Sequence, residues 1–143
     1  MNLEKIQEMW GEDSHIDMDN LHDESIKIPH LHQKYYTLYT TIKLLREKSK
    51  TRLEKVKLDR YNYYTGKAPP EVYVEEPFPY KVRDKEALNL HLSSDDKLSE
   101  AKLKVEYYNV MIEYLEDILK CIHNRTFHVK NAIDFLKFQA GYN

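Results

Sequence analysis

The fold of this chain is decided by residues 98 to 140, which read LSEAKLKVEYYNVMIEYLEDILKCIHNRTFHVKNAIDFLKFQA. Alternating steps of three and four from Leu98 to Ala140 meet an apolar residue or a tyrosine at every position except Thr126. Such a period places these residues on one seam of an α-helix, as coiled coils and tight bundles require. A helix of this length spans roughly 65 Å, so we predict that it packs against other helices of the chain or against other copies.

A second apolar stripe flanks this seam and is formed by Tyr107, Met111, Tyr114, Ile118 and Cys121. A helix that is apolar over more than one stripe has more than one neighbour. The sequence therefore favours a homo-oligomer, although a monomeric helical bundle is the alternative. The residues predicted to form the oligomer interface are Tyr108, Ile112, Leu115, Leu119, Ile122, Val129, Ile133 and Leu136.

The composition excludes several classes of protein. A length of 143 residues allows one domain, or one domain with arms. With Cys121 as its single cysteine, the chain has neither a disulfide framework nor a zinc ligand set, and a reducing cytoplasm is expected. The apolar runs are too short to span a bilayer, and we expect no signal peptide. The three glycines, Gly11, Gly66 and Gly141, are too dispersed for a P-loop or a dinucleotide fingerprint.

No catalytic or metal-binding constellation is visible in the sequence. His30 and His32 are two residues apart, and His123 and His128 are five apart, and neither spacing brings two imidazoles together on a helix. Asp95, followed by a second aspartate, is better explained as a helix start than as a pair of catalytic carboxylates. We therefore expect no enzymatic activity, no cofactor and no metal.

Charge and proline divide the chain into four segments. Residues 1–26 hold eight acids and one base, and residues 43–67 hold nine bases and three acids. The acidic arm is interpreted as a docking element for another protein, as a competitor for the basic site, or as an arm packed on its own domain. The remaining segments are a long helix within 27–67, a connection at 68–93 and a helical oligomerisation segment at 94–143.

Proline sets the limits of the middle segments. The long helix is predicted to begin at Ile28-Pro29, because proline suits the first turn of a helix, and to end before Gly66. Residues 68–81 of the connection contain Pro69, Pro70, Pro77 and Pro79, so we predict an extended, aromatic loop there. Residues 87–92 alternate weakly in hydropathy, which leaves a short strand and a helical turn as alternatives.

The strongest functional signal lies between Lys50 and Lys67, where basic and tyrosine residues share one end of the long helix. Bases neutralise phosphates by releasing counterions, and tyrosine rings stack on unpaired nucleobases of any kind. Reading a duplex would favour Asn, Gln and Arg aimed into a groove, and these are not concentrated here. We therefore predict a single-stranded nucleic acid site; the alternative is a basic helix face with core tyrosines. The predicted binding residues are Lys50, Arg52, Lys55, Lys57, Arg60, Tyr61, Tyr64 and Lys67.

Residues 57–67, KLDRYNYYTGK, resemble the basic and aromatic segment of the UvsY family, the recombination mediators of large myophages. The family pattern there reads Lys-Ala-Arg-Leu-Asp-Tyr-Tyr-Ser-Gly-Arg. Residues 3–8, LEKIQE, are similar to the start of the family, and RTFHVK at 125–130 with FQAG at 138–141 is similar to its end. The resemblance is collinear over a nearly equal length, and it is weak over residues 68–95.

The resemblance implies an all-α fold of long helices with heptad seams, in which helical hairpin-like protomers assemble into a ring of six or seven copies, held partly by the C-terminal segment. It implies binding of single-stranded DNA and help to a UvsX-like recombinase in displacing the single-strand-binding protein, in the cytoplasm of the infected host cell. Both proteins are partners in the family, and no membrane is involved.

When the family pattern is aligned with residues 57–67, the family tyrosines correspond to Tyr63 and Tyr64, and the family arginine corresponds to Arg60. The family lysine falls on Leu58, so Lys57 must substitute from a position rotated by about 100° on the helix.

Two other functions stay open: a coiled-coil structural or adaptor protein without nucleic-acid binding, and an RNA-binding helical protein.

Overall fold

The computed structural model describes residues 1–80 and 82–141, and this part of the chain contains five α-helices. They are α1 (Leu3–Asp13), α2 (Leu21–Tyr64), α3 (Pro70–Glu75), α4 (Lys85–Ser93) and α5 (Asp96–Gln139). The predicted all-α class is confirmed. The chain divides into two compact units: unit 1 comprises Met1–Ile42 with Val110–Asn143, and unit 2 comprises Lys43–Asn109.

In unit 1, α2 and α5 run antiparallel. Glu24, in the first turn of α2, pairs with Arg125 late in α5 at 2.9 Å. Further along α2, the Tyr39 hydroxyl donates to Glu116, which comes earlier in α5, at 3.1 Å. Burial of apolar side chains between the helices is the main stabilising contribution. The buried apolar residues of unit 1 are Ile6, Leu21, Leu31, Tyr35, Ile42, Met111, Ile112, Leu115, Ile118, Ile122 and Val129.

The seam of α5 is therefore largely a packing face within the chain. Ile112, Leu115, Ile122 and Val129 are at most 4% exposed, so their predicted place between copies does not fit their burial in one protomer. The reason is that α2 runs antiparallel beside α5 in unit 1, where α1 also packs through its buried Ile6. Self-association itself stays a prediction. Of the other predicted interface residues, Leu136 is exposed, and three are half-buried: Tyr108, Leu119 and Ile133.

The start of α2 was predicted in the wrong place. The helix begins at Leu21, and Pro29 lies inside it. The Asn20 carbonyl accepts the Glu24 N–H at 3.0 Å, and acids occupy the first turn, where they favour the positive end of the helix dipole. Pro29 donates no hydrogen bond to Ser25, but both residues are exposed, so water can satisfy the freed carbonyl.

The connection at 68–93 contains two helices. The loop predicted for 68–81 is wrong over α3, and α4 fits the helical alternative for residues 87–92. Pro69 is the N-cap of α3, and Pro70 is its first residue, where a missing N–H costs nothing. Asp84 caps α4 by accepting a hydrogen bond from the Ala87 N–H at 2.6 Å. The other two prolines follow α3 and precede α4, where they do not interrupt either helix.

Glycine ends α2, as predicted. The helix stops at Tyr64, and Gly66 adopts a φ of 78°, which a residue with a side chain rarely adopts. The Lys67 N–H donates to the Asn62 carbonyl at 2.8 Å and the Gly66 N–H to the Tyr63 carbonyl at 3.4 Å, which is the Schellman pattern.

The acidic arm packs on its own unit, which is one of the three interpretations that the sequence left open. Ile6 on α1 is completely buried. Arg125 donates to the carbonyls of Asp13 and His15 at 2.8 and 2.9 Å, and also to the carboxylate of Glu24. One buried guanidinium therefore ties the end of α1 and the start of α2 to α5.

Two carboxylates of this arm titrate below their ordinary range. Burial would raise the pKa of Glu24, but hydrogen bonds from Arg125 and Lys27 outweigh it, so the pKa is lowered. For Asp13, burial likewise opposes hydrogen bonds from Lys34 and Tyr35, and the net pKa is again lowered. Both groups thus stabilise the folded arm in their ionised form.

Candidate nucleic-acid interface

Arg60 lies at the centre of a buried polar cluster in unit 2. Its Nε donates to Asp95 Oδ2 at 2.7 Å, and its two terminal nitrogens donate to Glu76 at 3.1 and 3.3 Å. The Tyr64 hydroxyl donates to the same Asp95 oxygen at 2.6 Å. The second Asp95 oxygen caps α5 by accepting the Leu98 N–H at 2.8 Å. The cluster therefore joins the end of α2 to the start of α5 and to the residue after α3.

The electrostatics of the cluster favour the charged forms. Burial would raise the pKa of Asp95, but hydrogen bonds from Tyr64, the Leu98 N–H and Arg60 outweigh it and lower the pKa. The hydrogen bond from Arg60 is the main cause of the lowered pKa of Glu76. Burial would lower the pKa of Arg60, and its bonded neighbours raise it instead.

This geometry is at odds with a direct phosphate contact by Arg60. The side chains of Arg60 and Asp95 are only 6% and 3% exposed, and all three guanidinium nitrogens already donate to carboxylates. A phosphate would have to displace these partners, leaving a carboxylate buried without its cation. Arg60 is therefore placed as a structural residue, and its DNA contact remains an untested prediction.

Tyr63 is also held inside unit 2. It is 3% exposed, and the Arg60 guanidinium carbon lies 4.2 Å from its ring centroid. The Tyr73 ring stacks on it with centroids 5.4 Å apart and an angle of 15° between the planes. Its hydroxyl donates to the Glu76 carbonyl at 2.9 Å. With these partners around it, the Tyr63 ring is not free to stack on a base.

Beside Tyr63 opens a cavity of about 660 Å³, which we call the basic groove. Apolar side chains line part of it: Val56, Ala68, Pro69, Val72 and Ala101. Four exposed cations also line it, against the two exposed acids Asp59 and Glu100. The cations come from α2, from the turn after it and from the first turns of α5, and they are Arg52, Lys67, Lys97 and Lys104.

The eight residues predicted to bind DNA do not form one surface. Arg52, Arg60 and Lys67 line the basic groove. Lys57 and Tyr61 line a second, more open groove of about 530 Å³, which has its own basic residue from α5, Lys102.

The other three predicted residues lie elsewhere. Tyr64 lines a third cavity, which is aromatic. Lys50 and Lys55 are exposed on α2 and line none of these three cavities, and Lys50 pairs with Glu47 at 3.4 Å. The sequence predicted one shared site at this end of the helix, but the turns of α2 direct these residues into different surroundings.

The two groove cations on α5 were missed, although the sequence held a signal for them. Lys97, Ala101 and Lys104 recur at steps of four and three, which places them on one helix face. Ala101 lines the same groove as the two lysines. Glu76 carries no comparable local signal, because its partner Arg60 lies 16 residues earlier in the chain.

Metal sites and membrane-spanning helices are two further possibilities for residues 1–80 and 82–141. In this part of the chain, no three His, Cys, Asp or Glu side chains are grouped so that they could hold a metal ion. None of its helices combines the length and apolarity that crossing a membrane requires.

The family described as "Recombination, repair and ssDNA binding protein UvsY" matches residues 9–142 of this chain. The chain belongs to the UvsY family. The recombination protein uvsY of Enterobacteria phage T4 is 25% identical over 144 residues, which cover 99% of each chain. The earlier resemblance to the UvsY family is confirmed.

The fold of the UvsY family is also recognisable in this chain. Two crystal structures of the bacteriophage T4 recombination mediator protein UvsY match it with TM-scores of 0.81 and 0.83, at 22% and 23% identity. The matches cover 97% and 98% of this chain and 99% and 98% of those chains. Membership of the UvsY family places the chain among phage proteins of recombination, repair and single-stranded DNA binding.

Proposed function

We propose that this protein is a recombination mediator that binds single-stranded DNA in the basic groove. In this role it helps to load a UvsX-like recombinase onto strands covered by single-strand-binding protein, in the cytoplasm of the infected host cell. The observation that carries the proposal is the basic groove itself, in which four exposed cations surround apolar side chains. Phosphates pair with the cations while unpaired bases lie against the apolar residues.

The charge of the groove supports single-stranded DNA as its ligand. Lys97 pairs with Glu76 at 3.4 Å, but the Lys97 side chain is 66% exposed, so this pair costs little to exchange for a phosphate. The acids Asp59 and Glu100 reduce the positive charge. A single site is therefore weak, and useful affinity comes from several copies that hold one strand together.

The proposed homo-oligomer has its interface at the end of α5. The family resemblance implies a hexamer or a heptamer. Large apolar side chains are exposed at the end of α5, in contrast to the buried seam. They are Phe127, Phe135, Leu136 and Phe138, with exposures of 62%, 57%, 42% and 74%. An exposed group of this kind is typical of a protein–protein interface.

The alternative of a coiled-coil adaptor needs an unpartnered helical seam. The seam of α5 is largely covered within the chain, and this burial favours the mediator. The proposed mechanism binds and presents a strand, so it needs no catalytic group. The exposed acids of α1 suit a docking contact with a protein partner better than a contact with DNA.

The decisive experiment measures binding of a labelled single-stranded oligonucleotide at several salt concentrations. We expect the variant carrying Lys97→Ala and Lys104→Ala to bind more weakly. Its log affinity should fall less steeply with log salt, and the slope should be smaller in magnitude by about 0.7 for each lost phosphate contact. A matched RNA oligonucleotide tests the RNA-binding alternative, which predicts tighter binding of RNA than of DNA.

Two matched controls locate the site. Lys130→Ala changes an exposed lysine of α5 in unit 1, and Lys55→Ala changes an exposed lysine of α2 outside the groove. Neither should alter affinity. If Lys55→Ala weakens binding and the groove variant does not, the strand follows α2 and the groove assignment is wrong.

The loading role is tested by the lag before a recombinase filament forms on strands covered by single-strand-binding protein. Wild type should shorten this lag, and the groove variant should not.

A further inference from the structure

We propose that the aromatic cavity at the end of α2 binds one unpaired base of a single strand, with Tyr80 as its stacking residue. The cavity measures about 310 Å³. This volume is at the lower end of the range for small-molecule sites, which suits one base better than a base pair. The inference rests on the proposed function, because the base belongs to the strand held in the basic groove. The residues that line it include Tyr63, Tyr64, Tyr73, Phe78, Tyr80 and Arg83.

The inner wall of this cavity is rigid. The hydroxyl of Tyr64 is bonded to Asp95, that of Tyr63 to the Glu76 carbonyl, and that of Tyr73 to the Tyr63 carbonyl at 2.8 Å. These bonds fix three rings before any ligand arrives. A preformed wall lowers the entropy that binding must lose.

The outer edge is formed by an exposed ring. Tyr80 is 69% exposed, and its ring centroid lies 5.8 Å from that of Phe78. Phe78 in turn contacts Tyr64 edge-on, with centroids 5.2 Å apart. Tyr80 is thus oriented by the aromatic cluster but keeps much of its surface accessible, as a stacking residue requires.

The charge beside Tyr80 matches the rest of a nucleotide. Arg83 is exposed and lines the same cavity, so its guanidinium can neutralise the phosphate attached to a stacked base. An aromatic ring with a cation next to it is the arrangement that single-stranded nucleic acid sites use. The ligand class is therefore a nucleotide unit rather than an uncharged apolar molecule.

The position of the cavity supports the same ligand. Tyr63 lines both this cavity and the basic groove, and Lys67, in the basic groove, directly follows Gly66, which lines this cavity. The two sites are therefore neighbours within unit 2. A strand whose phosphates lie in the groove can place a neighbouring base against Tyr80.

The test compares a short oligothymidylate with an abasic oligonucleotide of equal length and equal phosphate count. For each stacked base, we expect Tyr80→Ala to lower affinity for oligothymidylate about 5- to 150-fold. It should leave the salt slope and the affinity for the abasic strand unchanged. Tyr80→Phe keeps the ring and should bind like wild type. Tyr36→Ala is the matched control, because Tyr36 is an exposed tyrosine in unit 1, 47% exposed.

Photo-crosslinking of an iodouracil-substituted strand gives a second measurement. Peptide mapping should locate the crosslink at Tyr80 or Phe78 in the full-length protein. The inference is overturned if Tyr80→Ala binds both oligonucleotides like wild type, if it weakens both equally, or if crosslinks form only in the basic groove. If wild type binds neither oligonucleotide, the proposed function fails as well, so the two failures can be told apart.

Discussion

Replacing Arg60 with alanine should destabilise unit 2 rather than merely remove a DNA contact. Asp95 is 4% exposed beside Arg60, and Arg60→Ala leaves it only the Tyr64 hydroxyl and the Leu98 N–H as donors. Removing one partner of a buried ion pair costs about 3–5 kcal/mol. The bonds to Glu76 add little, because the Glu76 side chain is 44% exposed. We therefore expect the free energy of unfolding to fall by about 3–5 kcal/mol.

The assay is urea unfolding followed by circular dichroism, at one fixed protein concentration because an oligomer gains stability with concentration. With an m-value of about 1–3 kcal/mol/M, the midpoint should move down by on the order of 2 M urea. A second variant, Arg60→Leu with Asp95→Asn, removes both charges together. The asparagine can still cap α5, so this variant should regain most of the stability.

The paired variant also separates the two roles of Arg60. If Arg60 acts through Asp95, the neutral pair restores stability and single-strand affinity together. If Arg60 contacts a phosphate, the pair restores stability alone, and the salt slope stays reduced. An Arg60→Ala protein that unfolds at the wild-type urea concentration would refute the reasoning from the buried cluster altogether.

Because the pKa values of Asp95 and Glu24 are lowered from their ordinary 3.8 and 4.5, their stabilising contribution is complete above those values. It should be lost as pH falls through the lower folded-state values, and urea midpoints that stay constant down to pH 2 would contradict this. Arg125→Ala leaves Glu24 buried without its guanidinium, so hydrogen exchange in α1 should accelerate by at least an order of magnitude, and unchanged protection would contradict the tether. Phe138→Asp should lower the oligomer mass in sedimentation, whereas Val74→Asp, at an equally exposed position of α3, should not; equal masses for both would exclude the end of α5 as the interface.

The long helix α5 could be predicted because its period extends over many turns, but the partner of its seam could not. A period shows that one stripe is covered, and it does not show what covers it. Leu115 was assigned to an interface between copies, yet it is completely buried within one chain. α2 covers it, because the two helices run antiparallel in unit 1 and Tyr39 of α2 bonds to Glu116, next to Leu115. The start of α2 was a separate error, in which Pro29 was interpreted as a first-turn residue. The stronger signal was Asn20 followed by acids in the first turn.

Part of the candidate site could also be predicted, namely that cations and tyrosines gather at the end of α2. The pairing of these residues could not, because it joins distant parts of the chain. Asp95 lies 35 residues after Arg60, and no helical wheel of α2 contains it. A wheel treats every base on a face as exposed, whereas a base that meets a buried acid turns inward and becomes part of the core.

The segment at 57–67 thus has two roles, a structural role in the core and a role at the surface, which its sequence pattern does not separate. Arg60 and Tyr63 point inward and are buried, while Lys57 is exposed. The inward residues hold Asp95, and Asp95 caps the helix that carries Lys97 two residues later. Arg60 therefore acts on the basic groove through the position of α5. A loss of DNA binding on mutation of Arg60 is consequently expected from either role, and only the recovery of binding by the neutral pair assigns it to structure.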